Sequence, residues 1–290
     1  MAARNDAFYS KAPLGSLESF ASIESMTFSP LIQALDRLDA MTMIVALASL
    51  KGGSGRSATA GMLAWSWSQA GKRVAVVDLD GASLTASRWL GTPSSGKELG
   101  QALVQGKPLG RLLVQSVLPG VQLLPAGPEL LTEEPAMERP LGLEKCRRAL
   151  VSLQDSELDL VVLDCPPRSS ALVMAACAVS GVVVLPVPLQ PAACATLPDG
   201  LAMLAEIKDT VAPGLRVLVL ATFSDRRTGV SADALATLKK GLGDGLLRTI
   251  VPVGSALARA MGRKGTMPHP RTPVAEAYRA LAAEVLRRVQ

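Results

Sequence analysis

The sequence predicts an α/β protein whose single domain is built on a doubly wound, mostly parallel sheet. Short apolar runs without polar alternation recur along the chain, and helical segments separate them. Strands that are apolar on both faces belong to parallel sheets with helices on both sides. The composition agrees, because 49% of the residues are hydrophobic but only 3% are aromatic. At 290 residues the chain is long enough for one large core.

Residues 1–42 are predicted to form a flexible N-terminal extension ahead of a single domain at 43–290. Weakly patterned sequence fills most of the extension, and only residues 29–38 have the apolar spacing of a short amphipathic helix. Three interpretations stay open for it: a partner-binding tail, a disordered leader, or sequence ahead of a functional start at Met41 or Met43.

Hydropathy and cysteine usage argue against several classes of protein. No apolar run reaches the length of a membrane span, and the N-terminus lacks the basic-then-apolar pattern of a signal peptide. We therefore expect a cytoplasmic protein without stable membrane insertion. No C-x-x-C pair occurs, which argues against a zinc or iron–sulfur site. The four scattered cysteines are predicted to be small buried hydrophobes: Cys146, Cys165, Cys177 and Cys194.

The domain opens with a strand that runs into a glycine-rich turn and then a helix. Apolar residues from Ile44 predict the strand, Lys51 to Ser57 form the turn, and residues 57–70 predict the helix. Glycines allow successive N–H groups to point inward, and the helix N-terminus adds a partial positive charge. These features predict a cradle for a polyphosphate. The alternative is a glycine-rich turn without a ligand.

Two further strands end in carboxylates. One apolar run ends in Asp78 and Asp80, and another, which starts at Leu158, ends in Asp164. Ligands of parallel sheets bind beyond the C-terminal ends of the strands, and a carboxylate there can hold Mg²⁺ through a water. Asp80 has an alternative role as the N-cap of a helix over 83–90, and Asp164 has one as a turn-capping residue.

Strands and helices continue to alternate up to the C-terminus. Residues 91–120 are punctuated by Gly and Pro and are predicted to hold short helices at best. Further strands are predicted over 121–127, 181–188, 215–223 and 247–252. Helices are predicted over 138–153, 192–207, 231–240 with Ser231 as the cap, and 274–289. The last helix has an Ala-rich face, which favours core packing over membrane binding.

Positive charge is concentrated in the C-terminal quarter. From Arg216 onward, 13 Lys and Arg residues stand against 5 Asp and Glu, a net charge of +8, whereas the whole chain carries +5. This asymmetry favours an anionic surface partner, nucleic acid first. Arg259 and Arg263 stand about one turn apart in a predicted helix and would share a face. The residues predicted to contact DNA phosphates are Arg226, Arg227, Arg259, Arg263 and Lys264. A merely solvated basic face is the alternative.

Several motifs in the same order resemble the ParA/MinD family of deviant Walker A P-loop ATPases, and ParA-like partition and positioning ATPases most of all. The turn from Lys51 to Ser57 reads K-G-G-S-G-R-S and resembles the family's K-G-G-x-G-K-[ST]. Asp164-Cys-Pro-Pro167 is close to the family's acidic strand end, and Asp225-Arg-Arg-Thr228 matches its D-R-R-T. The resemblance runs from about Met43 to the C-terminus.

The resemblance implies a site for ATP and Mg²⁺. Lys51 would reach across a dimer interface to the partner's nucleotide, and Asp80 would position the attacking water. These two are the predicted catalytic residues. Ser57 and, through a water, Asp164 would hold the Mg²⁺. The residues expected to bind ATP are Lys51, Gly52, Gly53, Ser54, Gly55, Arg56, Ser57, Ala58, Asp78 and Pro252.

Four positions depart from the family pattern. Arg56 replaces a Lys, so that a planar fork stands where the family has a point charge. Ala58 replaces a Thr, and Gly81-Ala82 replaces Pro-Gln after the second Asp. Val253-Gly254 replaces Arg-Asn in the segment that helps to enclose the base. Weak turnover is therefore expected, and adenine recognition is less defined than phosphate binding.

The function implied by the resemblance is positioning of a large cargo. ATP would join two subunits, and the dimer would bind DNA without sequence preference on the nucleoid. A ParB-like or other adaptor would stimulate hydrolysis, and DNA or another cargo would be segregated. Two alternatives stay open. One is a nucleotide-dependent scaffold or accessory factor of conjugation or polysaccharide export with weak or no turnover. The other is a MinD-like membrane ATPase.

Overall fold

The fold is organised around an eight-stranded sheet with the strand order β3-β4-β2-β5-β1-β6-β7-β8. The computed structural model describes residues 42–91, 94–139, 141–225 and 229–289, so the predicted N-terminal extension up to residue 41 lies outside the described residues. Every strand pairing is parallel except that between β3 and β4. The strands are β1 (Met43–Leu47), β2 (Val74–Asp78), β3 (Val114–Gln115), β4 (Val121–Leu124), β5 (Leu160–Asp164), β6 (Val182–Pro188), β7 (Arg216–Ser224) and β8 (Leu246–Pro252).

Helices connect these strands and cover both faces of the sheet. The helices in the described residues are α1 (Arg56–Gln69), α2 (Thr85–Leu90), α3 (Lys97–Gln105), α4 (Leu130–Met137), α5 (Gly142–Val151), α6 (Ala171–Val179), α7 (Pro191–Cys194), α8 (Leu197–Thr210), α9 (Gly229–Leu242), α10 (Ser255–Met261) and α11 (Pro273–Val289). Short 3-10 turns lie at Gly110–Leu112, Ser152–Asp155 and Gly243–Gly245.

A hydrophobic core lies on each face of the sheet. Along β1, Ile44 and Ala46 belong to one core, whereas Val45 and Leu47 belong to the other. The core around Val45 packs against α1, α2, α10 and α11, and the opposite core packs against α3 to α6, α8 and α9. Helices on both faces explain why the central strands β1, β2, β5 and β6 are buried almost throughout. The predicted doubly wound, mostly parallel sheet is confirmed.

The closing helix α11 is bound to the core. The Tyr278 hydroxyl lies 3.2 Å from that of Thr59 on α1. The buried Glu284 carboxylate accepts hydrogen bonds from the backbone N–H groups of Arg248 (2.6 Å) and Thr249 (2.8 Å) in β8. These bonds satisfy a buried charge and attach α11 to the edge strand. The helix packs in the core, as its Ala-rich face predicts.

The helices between residues 91 and 153 agree only in part with the prediction. The segment 91–120 contains the nine-residue α3, in agreement with the short helices expected there. The helix α4 was not predicted, since Pro135 lies within it. The helix predicted over 138–153 begins only at Gly142, because Leu141 before it has a left-handed backbone with φ 66°.

Two predictions about helix starts are wrong. The helix predicted over 192–207 is two helices, α7 and α8, because Pro198 lacks an N–H group and lies in the first turn of α8. Ser231 does not cap a helix, since it lies inside α9. Its hydroxyl instead accepts a hydrogen bond from the Asp225 backbone N–H at 3.3 Å.

The topology gathers the predicted site at one edge of the sheet. β5 lies between β1 and β2, and Asp164 is in register with both Leu47 and Asp78. The glycine-rich loop after β1 and the Asp80 turn after β2 therefore emerge beside the C-terminal end of β5. This edge is where parallel sheets bind their ligands.

Candidate functional site

The glycine-rich loop joins β1 to α1 and is held by side chains of neighbouring strands. Gly53 and Gly55 have positive φ values of 73° and 96°, a backbone region that favours glycine. A Cβ added to Gly55 would also lie 3.3 Å from Cζ of Phe223. The Thr222 hydroxyl donates a hydrogen bond to the carbonyl oxygen of Ser54 at 3.0 Å. Because no side chain caps α1, its first N–H groups remain available to an anion.

A cleft of about 920 Å³, including its open mouth, lies in front of this loop. We call the lining residues 52–58 and Asp80 the phosphate wall. We call the apolar lining residues the apolar wall, namely Phe223, Pro252, Leu257, Ala258 and Met261. Ser83, Thr85, Pro167 and Gly254 complete the lining. All the predicted ATP-binding residues except Lys51 and Asp78 therefore line one cleft.

Arg56 lies at the base of the phosphate wall and is only 6% exposed. One terminal nitrogen donates to the Ser49 carbonyl oxygen at 3.3 Å, and the other lies 3.7 Å from Oδ2 of Asp80. Its Nε has no hydrogen-bond partner in the described structure. The guanidinium therefore joins the phosphate loop to the Asp80 turn and retains one unused donor.

Asp80 occupies the turn between β2 and α2. Its Oδ1 accepts hydrogen bonds from the backbone N–H groups of Ala82 (3.2 Å) and Ser83 (3.1 Å), and its Oδ2 accepts one from the Ser83 hydroxyl (2.9 Å). These bonds cap the turn that precedes α2, where Leu84 adopts a left-handed φ of 52°. Asp80 thus stabilises the local turn and also lines the cleft.

Asp78 lies beneath the cleft and is fully buried. It accepts hydrogen bonds from the Ser87 backbone N–H (2.8 Å), the Ser87 hydroxyl (2.7 Å) and the Asp80 backbone N–H (3.0 Å). Burial raises the pKa of Asp78, and the Ser87 bonds oppose that rise. Asp78 therefore connects β2 to α2. A role in ATP binding would be indirect, through the Asp80 turn.

Asp164 is 1% exposed, and neither of its carboxylate oxygens has a hydrogen-bond partner in the described structure. Burial, followed by the neighbouring Asp78 charge, raises its pKa, and the nearby Ser57 hydroxyl and Arg56 act in the opposite direction. An unsatisfied buried carboxylate is costly, and a cation or a water ligated to one would relieve that cost.

The donors present suit Mg²⁺ rather than a metal held by protein ligands alone. Within the described ranges, no group of three or more His, Cys, Asp or Glu side chains could hold a metal ion by itself. Mg²⁺ usually keeps several waters and takes one or two protein oxygens together with substrate phosphates. Ser57 and Asp164 offer such a pair of oxygens beside the phosphate loop.

Lys51 lies outside the lining of the cleft. It belongs to a neighbouring pocket of about 290 Å³ between the loop and β6, α7 and α8. Its backbone is held by Ser49, whose hydroxyl accepts from the Lys51 N–H at 3.2 Å. The side chain is half-buried at the edge of the loop.

Sequence reasoning missed most of the apolar wall. Phe223 is the penultimate residue of β7 and has a left-handed φ of 52°, a conformation that is rare for a bulky residue. Leu257, Ala258 and Met261 come from α10, far along the chain. Phe223 could have been predicted from its position in the chain, because residues at the C-terminal ends of parallel strands lie next to ligands. Aliphatic and aromatic identity alone does not distinguish these residues from core.

The predicted DNA-binding residues are only partly described. Arg226 and Arg227 lie outside the described residues. Arg259 is exposed on α10, and its guanidinium donates to the Ser255 hydroxyl at 3.2 Å. Arg263 and Lys264 are exposed but follow the end of α10 at Met261. The prediction that Arg259 and Arg263 share a helical face is therefore wrong, because the helix ends between them.

The four cysteines carry free thiols. Three are buried, and Cys194 is intermediate in exposure. Burial raises the pKa of Cys146 and Cys177 to about 12, which keeps both thiols protonated. Their predicted role as small hydrophobes is confirmed for these buried positions.

None of the helices described is both long and apolar enough to cross a membrane.

The parallel sheet, the glycine-rich loop and the buried carboxylates beside it define a P-loop nucleotide-binding protein. A family model for an AAA domain matches residues 42–217. The chain is 37% identical over 251 residues to the chromosome-partitioning ATPase Soj of Thermus thermophilus, covering 85% of this chain and 96% of that protein. It is 27% identical to the chromosome partitioning protein ParA of Myxococcus xanthus, covering 84% and 88%. The chain belongs to the ParA/MinD family of P-loop ATPases and is most similar to its ParA-like members.

Solved structures share the fold. Cobyrinic acid a,c-diamide synthase from Mycobacterium smegmatis, with a bound ATP analogue and magnesium, has a TM-score of 0.73 at 27% identity, covering 85% of this chain and 94% of that one. The cell division ATPase MinD of Pyrococcus furiosus has a TM-score of 0.67 at 19% identity, covering 85% and 99%. The second likeness concerns the fold alone.

Proposed function

We propose that this protein is a ParA-like ATPase that binds ATP with Mg²⁺ in the cleft and positions DNA or another large cargo. The observation that carries the proposal is a set of buried polar atoms without partners beside the phosphate loop, namely Ser54 Oγ, Arg56 Nε and both oxygens of Asp164. Such atoms are costly in a folded protein unless a ligand satisfies them. A phosphate would satisfy the two donors, and Mg²⁺ would satisfy the carboxylate.

The roles of the residues follow from their positions. Backbone N–H groups of the loop and of the first turn of α1 would hold the phosphates, and Arg56 would add charge. Ser57 and Asp164 would hold Mg²⁺, which neutralises charge on the transferred phosphoryl group. Asp80 would orient the attacking water from the rim of the cleft. The apolar wall would receive the base, with Pro252 at its edge.

Dimerisation completes the proposed site. Lys51 lines the neighbouring pocket, not its own cleft, and is half-buried. A Lys in that place supplies charge to a nucleotide bound by a second copy, as the family resemblance implies.

The ATP-bound dimer would bind DNA through exposed basic residues, chiefly Arg259, Arg263 and Lys264, and would act in the cytoplasm on the nucleoid. A ParB-like or other adaptor would stimulate hydrolysis and release the DNA.

The proposal is tested with the full chain. ATP hydrolysis is measured with and without Mg²⁺, and size-exclusion chromatography with a non-hydrolysable ATP analogue reports the dimer. We expect Mg²⁺-dependent hydrolysis, dimers only with the analogue, and salt-sensitive binding of arbitrary duplex DNA by those dimers. Absence of nucleotide binding by calorimetry would overturn the proposal.

A second candidate function is a nucleotide-dependent scaffold with little turnover. The contact that favours it is the Arg56–Asp80 pair at 3.7 Å, because a paired carboxylate is less free to orient a water. The variant Arg56→Lys separates the two functions. A Lys has one compact charge and is not equivalent to the guanidinium fork. If the pair slows hydrolysis, turnover rises about threefold to tenfold while nucleotide affinity is kept, as expected for release of a catalytic group.

A large loss of both affinity and turnover in Arg56→Lys would mean that the site is built around the guanidinium. Wild-type protein with no turnover in the presence of DNA and a partner adaptor, but with nucleotide-dependent dimers, would establish the scaffold instead.

A further inference from the structure

We propose that the DNA-binding surface continues from α10 onto α2, where Arg88 makes a phosphate contact, and that Trp89 clamps the two parts together. This inference rests on the proposed DNA-binding function. It adds a residue that precedes the basic C-terminal quarter by more than one hundred positions in the chain. Three observations carry it: a charge pattern, a pair of backbone contacts, and the position of α2 beside the nucleotide cleft.

The charge pattern consists of two segments that lack acidic residues and that the contacts of Trp89 join. Residues 81–97 contain no Asp or Glu and include Arg88, which is exposed on α2. Residues 245–275 also contain no Asp or Glu. A segment with cations and no acids keeps its positive potential available to a polyanion. The cations of the second segment are Arg248, Arg259, Arg263, Lys264 and Arg271.

Two arginines elsewhere in the described chain, Arg73 and Arg147, show the contrast. Arg73 lies 3.3 Å from Asp159, and Arg147 lies 2.8 Å from Glu144. Those partners neutralise the arginines locally and make these regions poor phosphate sites. The two acid-free segments contain no such partner in their own sequence.

Trp89 brings the two segments together. Its indole N–H donates to the carbonyl oxygen of Thr266 at 2.8 Å, and its own carbonyl oxygen accepts from the Gly265 N–H, also at 2.8 Å. Arg88 precedes Trp89, and Arg263 with Lys264 precedes Gly265 directly in sequence. The paired backbones therefore place the exposed Arg88 beside the exposed turn that follows α10. Phosphates of one duplex spaced along a strand can contact several such cations at once.

The same tryptophan ties this surface to the nucleotide site. Trp89 is buried, and a Cβ added to Gly61 of α1 would lie 2.4 Å from its ring, so the ring packs directly on the α1 backbone. α1 begins at the phosphate loop, and α2 begins five residues after Asp80. A nucleotide that reorders the Asp80 turn would move α2 and, through the Trp89 bonds, the turn at Gly265 with it. This connection gives a physical reason for DNA binding to depend on the nucleotide.

The first test compares charge reversals at equal net charge. Binding of an arbitrary fluorescent duplex is measured over a salt series with a non-hydrolysable ATP analogue. We expect Arg88→Glu to weaken binding about tenfold and Arg88→Ala to reduce the slope of log K against log salt by about 0.9, the value for one lost phosphate contact. The control is Arg139→Glu, at an exposed arginine after α4, which packs on the opposite face of the sheet from α2. It is expected to bind within about twofold of the wild type.

The second test separates the clamp from simple packing. Trp89→Phe keeps a ring on Gly61 but removes the bond to Thr266, and we expect DNA affinity to fall about threefold, the loss of one hydrogen bond. Trp67→Phe is the matched control, because Trp67 is equally buried and its indole N–H donates at 3.2 Å to the Ala282 carbonyl oxygen in α11. Thermal unfolding of every variant shows that it is folded.

The outcomes distinguish this inference from the function on which it rests. If the wild type binds no duplex in any nucleotide state, the proposed DNA-binding function fails. If the wild type binds and the double variant Arg259→Glu with Arg263→Glu does not, while Arg88→Glu binds like the wild type, only the extension onto α2 is overturned. Equal losses in Trp89→Phe and Trp67→Phe would overturn the clamp.

Discussion

The two walls of the cleft differ in whether the protein itself satisfies their buried atoms without a ligand. The phosphate wall has buried polar atoms without partners, on Ser54, Arg56 and, beneath them, Asp164. The apolar wall consists of side chains such as Leu257 that also pack in a core beneath the surface. The phosphate wall therefore keeps a free-energy cost that a charged ligand removes, whereas the apolar wall is stable without a ligand. We infer that charge recognition is preorganised and that contact with a base is adaptable.

Lys51 belongs to neither wall, and its substitution is expected to have the largest effect. In Lys51→Ala, ATP-dependent dimerisation should weaken by about 2–5 kcal/mol, the cost of removing one partner of a buried charge pair, while the fold is unchanged. Size-exclusion chromatography with a non-hydrolysable ATP analogue measures the dimer. Lys72→Ala, at a Lys after α1 that is half-buried like Lys51, is the control and should dimerise normally. A Lys51→Ala protein that still dimerises would refute the role across the interface.

Asp80 tests whether the rim of the phosphate wall is catalytic. In Asp80→Ala, ATP hydrolysis should fall about 100-fold because the water is no longer positioned, while ATP still binds and the dimer persists. Ser83→Ala, which removes only the hydroxyl bonded to Asp80 at 2.9 Å, should retain most of the activity. Steady-state turnover and dimer lifetime are the measurements. Normal turnover in Asp80→Ala would leave Asp80 as a turn cap alone.

Asp78 and Asp164 lie in register, yet their substitutions should change stability in opposite directions. Asp78→Asn loses charged acceptors for three hydrogen bonds and should lower the free energy of unfolding by about 2 kcal/mol. Asp164→Asn removes a buried carboxylate without partners and should raise the free energy of unfolding of the ligand-free protein by about 1 kcal/mol.

Calorimetric unfolding of the two asparagine variants, with and without ATP and Mg²⁺, measures both effects. Asp164→Asn should also lose the part of the ligand-induced stabilisation that depends on Mg²⁺. Destabilisation of the ligand-free Asp164→Asn protein would contradict the view that the phosphate wall is strained without its ligand.

The apolar wall should contribute least. In Phe223→Ala, nucleotide affinity should fall about fivefold to tenfold, since an aromatic contact contributes about 1–1.5 kcal/mol. Phe223→Leu keeps an apolar side chain packed on Gly55 but removes the aromatic ring. It therefore distinguishes a loss of loop packing from a loss of ring contact with the base. Val253→Ala, on an exposed residue beside the wall, is the control. Titration calorimetry measures the affinities, and unchanged binding in Phe223→Ala would place the base elsewhere.

Much of the phosphate wall could be predicted from sequence because it depends on local patterns. Apolar runs and the spacing of glycines predicted the start of β1 and both ends of α1 to within one residue, since neighbouring residues determine strand, turn and helix there. Asp80 and Asp164 were predicted at the C-terminal ends of two strands, and the structure shows that these strands, β2 and β5, are neighbours. The number of helices between 91 and 153 was not predicted, because Pro and Gly weaken the local pattern there.

The sequence by itself determined the fold class, the order of the strands along the chain and the residues of the phosphate loop. Only the tertiary structure decided that Arg56 pairs with Asp80, that Lys51 lies outside its own cleft, and that Phe223 lies on Gly55. Tertiary structure also placed Trp89 against Thr266, which are 177 residues apart. Contacts between distant segments depend on how helices pack across the sheet, and local periodicity does not contain that information.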